Sequence, residues 1–515
     1  MSLSRLFHTV KYLKLRQVLN RLVRRLRKPG RYQGGALAVI APDVPWQVHA
    51  ALPSSFTADS SVTFLNEPGA LFEWEDPGKS KLWLYNLHYF DDLVAENASF
   101  RTDLQREVIA RWMVDNPPLT GTGWEPYPLS LRIGNWIKWL LVGNEPVEGM
   151  QISLLEQAYA LSQQVEYHLL GNHILANAKA LVFAGTYFEG DIADAWLHTG
   201  IVLLKEQLTE QVLADGAHFE LSPMYHSIIL TDLLDLIQLG QLYPGSKIAQ
   251  QAERLRNTAA LMASWLEGML HPDGGISFFN DTAFGIAPEP AAILTYAEKL
   301  GVKHHVVPEK AGQAQHDTAQ HFHDSGYIAV RQHDQVALLD VAAIGPDYIP
   351  GHAHADTLSF EWSLKGQRVL VNSGTSEYGL GAERLRQRGT AAHNTVMVNE
   401  ENSSEVWSGF RVARRARVFD VAVEQKSDTT IVKAAHDSYK RLRPKVIHQR
   451  EWRLSPGVLE VSDTLTGKFR TAKAYFHLHP FVKASLARGV VDLTPELIKI
   501  DVDLRLRLWH FNCIQ

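Results

Sequence analysis

The hydrophobic pattern changes its period once along this chain, and that change calls for two kinds of domain. From about residue 100 to 300 the apolar residues recur every three or four positions. Ile133, Trp136, Ile137, Leu140 and Leu141 form one such set, Leu154, Ala158, Leu161 and Val165 another, and Ile229, Leu230, Leu233, Leu234, Ile237 and Leu239 a third. Loops rich in Gly and Pro separate them, at Asn116-Pro117-Pro118, Gly121-Thr122-Gly123, Asp215-Gly216 and His271-Pro272-Asp273-Gly274-Gly275. A polar stretch from Val302 to Gln320 ends this region, and beyond it the period is two. Leu358, Phe360, Trp362 and Leu364 alternate with Thr357, Ser359, Glu361 and Ser363, which predicts a half-buried strand. Lys365-Gly366-Gln367 supplies a turn, Arg368 to Asn372 a return strand, and Val396–Val398, Val418–Val423, Thr430–Val432 and Val458–Val461 further strands. Consecutive helices make a bundle or toroid and consecutive short strands a sandwich. The expected division is a basic arm and lead-in over 1–75, a helical domain over 76–310 and an antiparallel β-sandwich over 311–515.

Composition narrows the function. A chain of 515 residues with 45% hydrophobic and 21% charged residues can bury large cores, and a net charge of −5 is wrong for a protein that neutralises nucleic-acid phosphates. No GxGxxG or phosphate-binding loop opens any helix, so no organic cofactor is expected. The single cysteine, Cys513, rules out an intrachain disulfide and a Cys-rich zinc site. Thirteen Trp and sixteen Tyr suit sugar faces packing on aromatic rings as well as they suit core filling.

The N-terminus is basic and amphipathic. Leu6, Val10, Leu13, Leu15, Leu19, Leu22, Val23 and Leu26 are interleaved with Arg5, Lys11, Lys14, Arg16, Arg21, Arg24, Arg25, Arg27 and Lys28. A secretory signal needs an uninterrupted apolar core and a small-residue cleavage site, and the arm offers neither; no stretch is apolar enough to span a bilayer. The expected location is cytoplasmic or inner-membrane-associated, with the periplasm as the alternative. Two readings of the arm stay open: peripheral contact with an anionic membrane surface or with biosynthetic machinery, or a solvated helix packed on the helical domain.

Reactive side chains concentrate in five segments. Three are in the helical half: Trp124-Glu125-Pro126-Tyr127-Pro128 with Arg132, Gly171-Asn172-His173, and Glu220-Leu221-Ser222-Pro223-Met224-Tyr225-His226. Two are in the β half: His352-Ala353-His354-Ala355-Asp356 and Ala392-His393-Asn394-Thr395. If a strand already runs at residue 352, the spacing of His352, His354 and Asp356 puts them on one face, where they suit a divalent metal with His393 as a further ligand; histidines hydrogen-bonded at a domain interface are the plainer alternative. Asn172 is equally readable as a helix cap or as an amide donor to a carboxylate. Pro223 fits a first helical turn, placing Tyr225 near the positive end of a helix dipole, where a phenolate costs less; a core tyrosine is the alternative. One reaction uses all of these groups. Eliminating across the C4–O bond of a uronic acid requires neutralisation of the carboxylate, a base for the C5 proton and an acid for the departing O4. Asn172 with His173 serves the first need, Tyr225 and His352 the other two, and Arg132 can hold a further carboxylate or sulfate.

At this point the chain resembles a known family, the heparinase II/III-like polysaccharide lyases, which are related to some alginate lyases. The resemblance runs from about Leu82-Trp83-Leu84-Tyr85 to beyond Arg450. It rests on the order and spacing of Trp124–Arg132, Gly171-Asn172-His173-Ile174-Leu175, Ser222-Pro223-Met224-Tyr225-His226 and Gly351-His352-Ala353-His354-Ala355-Asp356. It implies an incomplete (α/α) toroid joined to a large antiparallel β-sandwich, with an acidic polysaccharide bound between them. It implies that Asn172 neutralises the uronate, Tyr225 acts as base and acid, His352 assists, and His173 lines the site, with Trp124, Tyr127, Arg132 and His226 as substrate contacts. In metal-containing relatives zinc is bound at positions that here are His354, Asn372 and His393. The return-strand ligand is usually an Asp, and a neutral amide is the poorer ligand, so Asp356 is the alternative. The resemblance also suggests a role in bacterial exopolysaccharide or lipopolysaccharide metabolism. Two rival readings remain: a glycoside hydrolase using two of Glu125, Asp215, Glu220, Asp273 and Asp281, and a catalytically silent carbohydrate-binding protein of a polysaccharide assembly system.

Overall fold

The structure, a computed structural model, describes residues 3–26, 28–56, 61–303, 318–487, 490–495, 504–507 and 512–514. The boundary expected at residue 310 and Arg27 of the arm lie outside the described residues.

Helices follow one another through the first half: Lys81–Tyr89, Thr102–Asp115, Pro126–Leu141, Met150–Ser162, Asn172–Tyr187, Asp191–Gln211, Pro223–Leu242, Ala252–Gly268 and Pro290–Lys299. Their apolar stripes converge on a core in which Trp112 and Trp136 meet edge to face and both meet Phe90. Arg132 is part of this core, fully buried with its guanidinium 3.8 Å from the Trp112 ring centroid. The lead-in packs on the same helices: Trp46 is buried and its N–H donates to the Leu141 carbonyl (2.8 Å).

After residue 318 the chain forms antiparallel sheets. The first is a meander of Thr318–Phe322, Tyr327–Gln332, Gln335–Asp340, Phe360–Leu364 and Gln367–Leu370. The second runs Val418–Lys426, Thr429–His436, Val446–Ser455 and Val458–Gly467, with Asn512–Ile514 added in parallel at its edge. The sheets pack face to face through Ile328, Val330, Leu339, Phe360 and Trp362 on one side and Val432, Trp452 and Leu454 on the other.

The other face of the first sheet is covered as well. Tyr327, Ala329 and Leu338 pack against Trp265, Met269 and Phe279 of the helical half. The strand expected to be half-buried is therefore buried at every position from Phe360 to Leu364. Alternation does distinguish its two faces, but the polar one meets protein and not water, so its groups need internal partners. Glu361 accepts from the backbone N–H groups of Phe278 and Asn372 (both 2.9 Å), and its second oxygen lies 2.6 Å from His271 Nε2. Ser363 completes the set at 2.8 Å from His271 Nδ1.

The arm forms two helices, Leu3–Val10 and Leu15–Leu26, that cross both halves. Trp407 Nε1 donates to Thr9 and Arg414 to Ser4 from the β half. Lys14 and Arg16 pair with Glu210 and Glu206, and Gln17 donates to the Leu169 carbonyl, in the helical half.

Because Phe279 is completely buried between the halves, Phe279→Ala is expected to cost about 3–5 kcal/mol in urea-induced unfolding. A loss below about 1 kcal/mol would mean that this contact does not hold the two halves together.

Candidate active site at the domain seam

Two helix starts from the first half and one loop from the second meet here. The Asn172–Tyr187 helix begins straight after Leu170 and Gly171, both with positive φ (67° and 61°). A Cβ on Gly171 would lie 2.6 Å from Glu220 Oε1, so this position takes only glycine. The Pro223–Leu242 helix follows Leu221, again at positive φ (59°), with Pro223 in its first turn and Ser222 accepting from the Tyr225 N–H (3.2 Å). Buried leucines with left-handed backbone are costly, and both sit immediately beside site residues. Glu220 ties the two helix starts together, its Oε1 accepting from the Asn172 N–H (3.3 Å) at the positive end of a helix.

His352 comes from the β half. The loop that carries it is not a strand, so the one-face argument for His352, His354 and Asp356 fails. What gathers the two histidines is Asp281. Its Oδ2 lies 2.8 Å from His352 Nδ1 and its Oδ1 2.8 Å from His354 Nε2. Arg384 closes on both oxygens of the same carboxylate. Burial alone would raise the Asp281 carboxyl, but His352, His354 and Arg384 outweigh it and hold it well below the usual carboxylate range. On the other side His352 Nε2 is 3.3 Å from Glu220 Oε2, and its ring lies 4.0 Å from that of Tyr225. Burial raises Glu220, so it favours the neutral acid.

The Tyr225 hydroxyl is 3.1 Å from that of Tyr378. Its position near a helix start does not make it acidic. Burial, with Tyr378 and Asp281 adding to it, raises it well above the ordinary phenol value. Phe410 stacks on Tyr378 (5.7 Å, 20° between planes) and its ring lies 6.4 Å from His352, giving an aromatic rim suited to a sugar face. Arg384 and Arg388 both donate to the Gly409 carbonyl and anchor this rim.

Across from it, His173 Nδ1 is 3.2 Å from Glu166 and its ring 4.5 Å from Tyr127. Burial disfavours the imidazolium, yet Glu166 and Glu220 overcome this and raise His173 above its ordinary value. The structure thus brings Asn172, His173, Tyr225, His352 and Tyr127 together.

Three expected substrate contacts lie elsewhere. Arg132 is fully buried and donates to Gln157 Oε1, the His88 carbonyl and the Gly123 carbonyl (2.9, 3.1 and 2.8 Å), which leaves its fork engaged inside the helical core. His226 is buried with Nε2 2.9 Å from the Met262 carbonyl and Nδ1 accepting from the His218 N–H. Trp124 is buried, its indole N–H donating to the Asn116 carbonyl (3.1 Å). Helical position relative to the core decided all three, and residue type does not reveal it. Tyr378, Phe410, Arg384 and Glu166 were missed for the converse reason: they stand outside any motif and only the fold brings them in. Asp281 and Glu220 were visible only as carboxylates without partners.

The residues implied for zinc lie behind His352. The His354 and His393 rings are 5.2 Å apart, and His354 Nδ1 and His393 Nε2 are buried without a hydrogen-bond partner. The third member, Asn372, is a neutral amide whose oxygen already accepts from His393 Nδ1 (3.2 Å). Burial raises Asp356 above the usual carboxylate range, which disfavours the ionised form a metal would need. Among the described residues no three His, Cys, Asp or Glu side chains are arranged to hold a metal. Two imidazoles and an engaged amide do not make a fitting zinc site.

A helical first half and an antiparallel sandwich, with His, Tyr, Asn and buried carboxylates gathered at their seam, define a two-part helical-and-β class of fold. Comparison with known proteins narrows the class. Residues 124–286 match the heparinase II/III N-terminus and residues 314–513 the heparinase II/III-like C-terminal domain. This chain belongs to the heparinase II/III-like family. It is 28% identical over 269 residues to a heparin-sulfate lyase of Pedobacter heparinus, a match covering 48% of this chain and 40% of that protein. It is 26% identical over 337 residues to a heparin-sulfate lyase of Bacteroides thetaiotaomicron, covering 58% and 48% respectively. The chain thus matches less than half the length of these relatives. A crystal structure of heparinase III superposes with a TM-score of 0.61 at 18% identity over 93% of this chain and 81% of that one, and a further heparinase III with 0.59 at 17% over 82% and 70%. These likenesses establish the toroid-plus-sandwich fold.

The charge on His173 depends on Glu166. In NMR titration the imidazole is expected to lose its proton above the ordinary pH of about 6.5, and below it in Glu166→Gln, where burial acts with less opposition. A raised histidine stabilises the fold fully below that pH and less as pH rises through its folded value. Glu166→Gln is therefore expected to lower Tm more at pH 5.5 than at pH 9, about one unit and more to either side of the ordinary value. An equal loss at both would refute the ion pair.

Proposed function

We propose that this chain is a polysaccharide lyase that cleaves a uronic-acid-containing polymer by β-elimination. The observation that carries this reading is the clasp on His352, between Asp281 at Nδ1 and Glu220 near Nε2 with the Tyr225 ring tilted against it at 4.0 Å. In this reading His173, cationic beside Glu166, and the Asn172 amide neutralise the uronate carboxylate and make the C5 proton acidic. Asp281 fixes Nδ1 as the protonated nitrogen of His352, which leaves Nε2 to take the C5 proton. The C4–O4 bond breaks, its electrons leave with O4, and the C5–H electrons form the C4–C5 double bond. Tyr225, held neutral by burial, donates its proton to O4. Tyr127, Tyr378 and Phe410 line the sugar path.

The relatives' name, heparin-sulfate lyase, supports an acidic polysaccharide as the substrate. We read that substrate as a polymer of the bacterial surface, and the enzyme as working at the cytoplasmic side of the inner membrane, on the strength of the basic arm; a fully periplasmic or secreted protein on cell fractionation would defeat this part. The His354, Asn372 and His393 group acts in this reading as a hydrogen-bonded support for Asp281, and no step passes through zinc. Dialysis against a chelator is then expected to leave Tm and turnover unchanged, and a drop in Tm restored by zinc would contradict it.

Hydrolysis by two carboxyls fits less well. Both Asp281 oxygens are occupied by His352, His354 and Arg384, Asp273 is paired with Arg368, and Asp215 accepts from Ser325. The deciding experiment is a screen of uronate polymers for the ultraviolet absorbance of a new alkene. Tyr225→Phe is expected to lower that rate by at least about 100-fold, the usual contribution of a general acid, with the fold intact by circular dichroism. Saturated products, or a silent Glu220→Gln beside an active Tyr225→Phe, point to the hydrolase; polymer binding without turnover over a broad pH range points to a binding protein.

A further inference from the structure

The arm is amphipathic in the opposite sense to an ordinary surface helix. Its polar face is turned inward. Along the Leu15–Leu26 helix and at Lys14 just before it, Gln17 is buried on the Leu169 carbonyl, Lys14 and Arg16 pair with Glu210 and Glu206, and Arg24 lies on His168, which burial and that guanidinium depress to about 4. In the Leu3–Val10 helix, Ser4 and Thr9 take hydrogen bonds from Arg414 and Trp407. Consequently the apolar faces look outward. Leu3, Leu6, Phe7 and Val10, at i, i+3, i+4 and i+7, are between 38% and 86% exposed. The next helix continues the stripe with Leu15, Val18, Leu19, Leu22, Val23 and Leu26, between 41% and 87% exposed. Ten large apolar side chains in 24 consecutive positions form a patch far larger than isolated exposed residues, and such a patch marks an interaction surface.

Charge says what covers it. The first 42 residues hold no Asp or Glu, while nine Lys and Arg fall between Arg5 and Lys28, in a chain whose net charge is −5. We propose that the outward face of the two arm helices docks on an anionic lipid bilayer, lying in the headgroup plane with the Leu, Val and Phe side chains in the acyl boundary. An apolar stripe flanked by cations is the pattern of an interfacial helix. A second copy of the chain is the weaker occupant, because it would set the exposed cations of one arm against those of the other. No helix among the described residues is long and apolar enough to cross a membrane, so the contact is peripheral. Because the arm is bonded to both halves, docking would also set the orientation of the seam relative to the bilayer.

Co-sedimentation of the full chain with vesicles tests this. Binding is expected to phosphatidylglycerol-containing vesicles and to be much weaker with pure phosphatidylcholine. The triple variant Leu15→Asp, Leu19→Asp, Leu22→Asp is expected to reduce partitioning at least about tenfold. Arg25→Gln with Lys28→Gln, both exposed, is expected to reduce it by about fivefold per charge, an effect that high salt should mimic. The substituted side chains are exposed, so circular dichroism and Tm should match the parent. Equal binding to neutral and anionic vesicles overturns the proposal. So does an absence of vesicle binding, and a fall in molar mass of the triple variant in light scattering would then make the face a self-association surface.

Discussion

A single buried carboxylate, Asp281, holds the functional architecture together. It sits on the last long loop of the helical half, with no exposed side-chain surface, and meets a guanidinium and two imidazoles from the β half. An isolated carboxylate in such a place would cost many kcal/mol and would take up a proton. With Arg384 forked across both oxygens and two histidines donating to it, the anion is favoured strongly. The cost of burying charge is offset only when all these partners are present at once, so the pairing is selective as well as strong. It fixes where the β half sits on the helical half, and it sets the tautomer of His352 by the same contact.

The rest of the site follows from this geometry. The first sheet is buried on both faces, its second face against Trp265, Met269 and Phe279, and the polar alternation of the Phe360–Leu364 strand is answered by His271 and backbone N–H groups. Burial then does the electrostatic work. It raises Tyr225 and Glu220 towards their neutral forms, while an ion pair with Glu166 favours the charged form of His173. Opposite shifts are thus built into groups that share one seam. The left-handed leucines at 170 and 221 are the backbone strain that presents the two helix starts to the cleft.

The arm shows that amphipathicity has a sign which only packing reveals. Its periodicity reads plainly in the sequence, and the ordinary inference is that the apolar stripe faces the core. Here Gln17, Lys14 and Arg16 find acidic and carbonyl partners on the body, and the stripe is left outside.

By itself the sequence determined the order of domains and the class of each, and it singled out Asn172, His173, Tyr225 and His352 as candidates that the fold places near one another. Periodicity encodes local structure, and short motifs carry chemistry that needs those residue types. Tertiary structure alone decided which carboxylates matter, that Trp124, Arg132 and His226 belong to the core, and that Tyr378, Phe410 and Arg384 complete the cleft. The reason is physical: burial, pairing and pKa depend on what lies within a few ångströms, and those neighbours come from positions more than a hundred residues away, as with Asp281 and Arg384 or Tyr225 and Tyr378. Sequence spacing has no access to that distance.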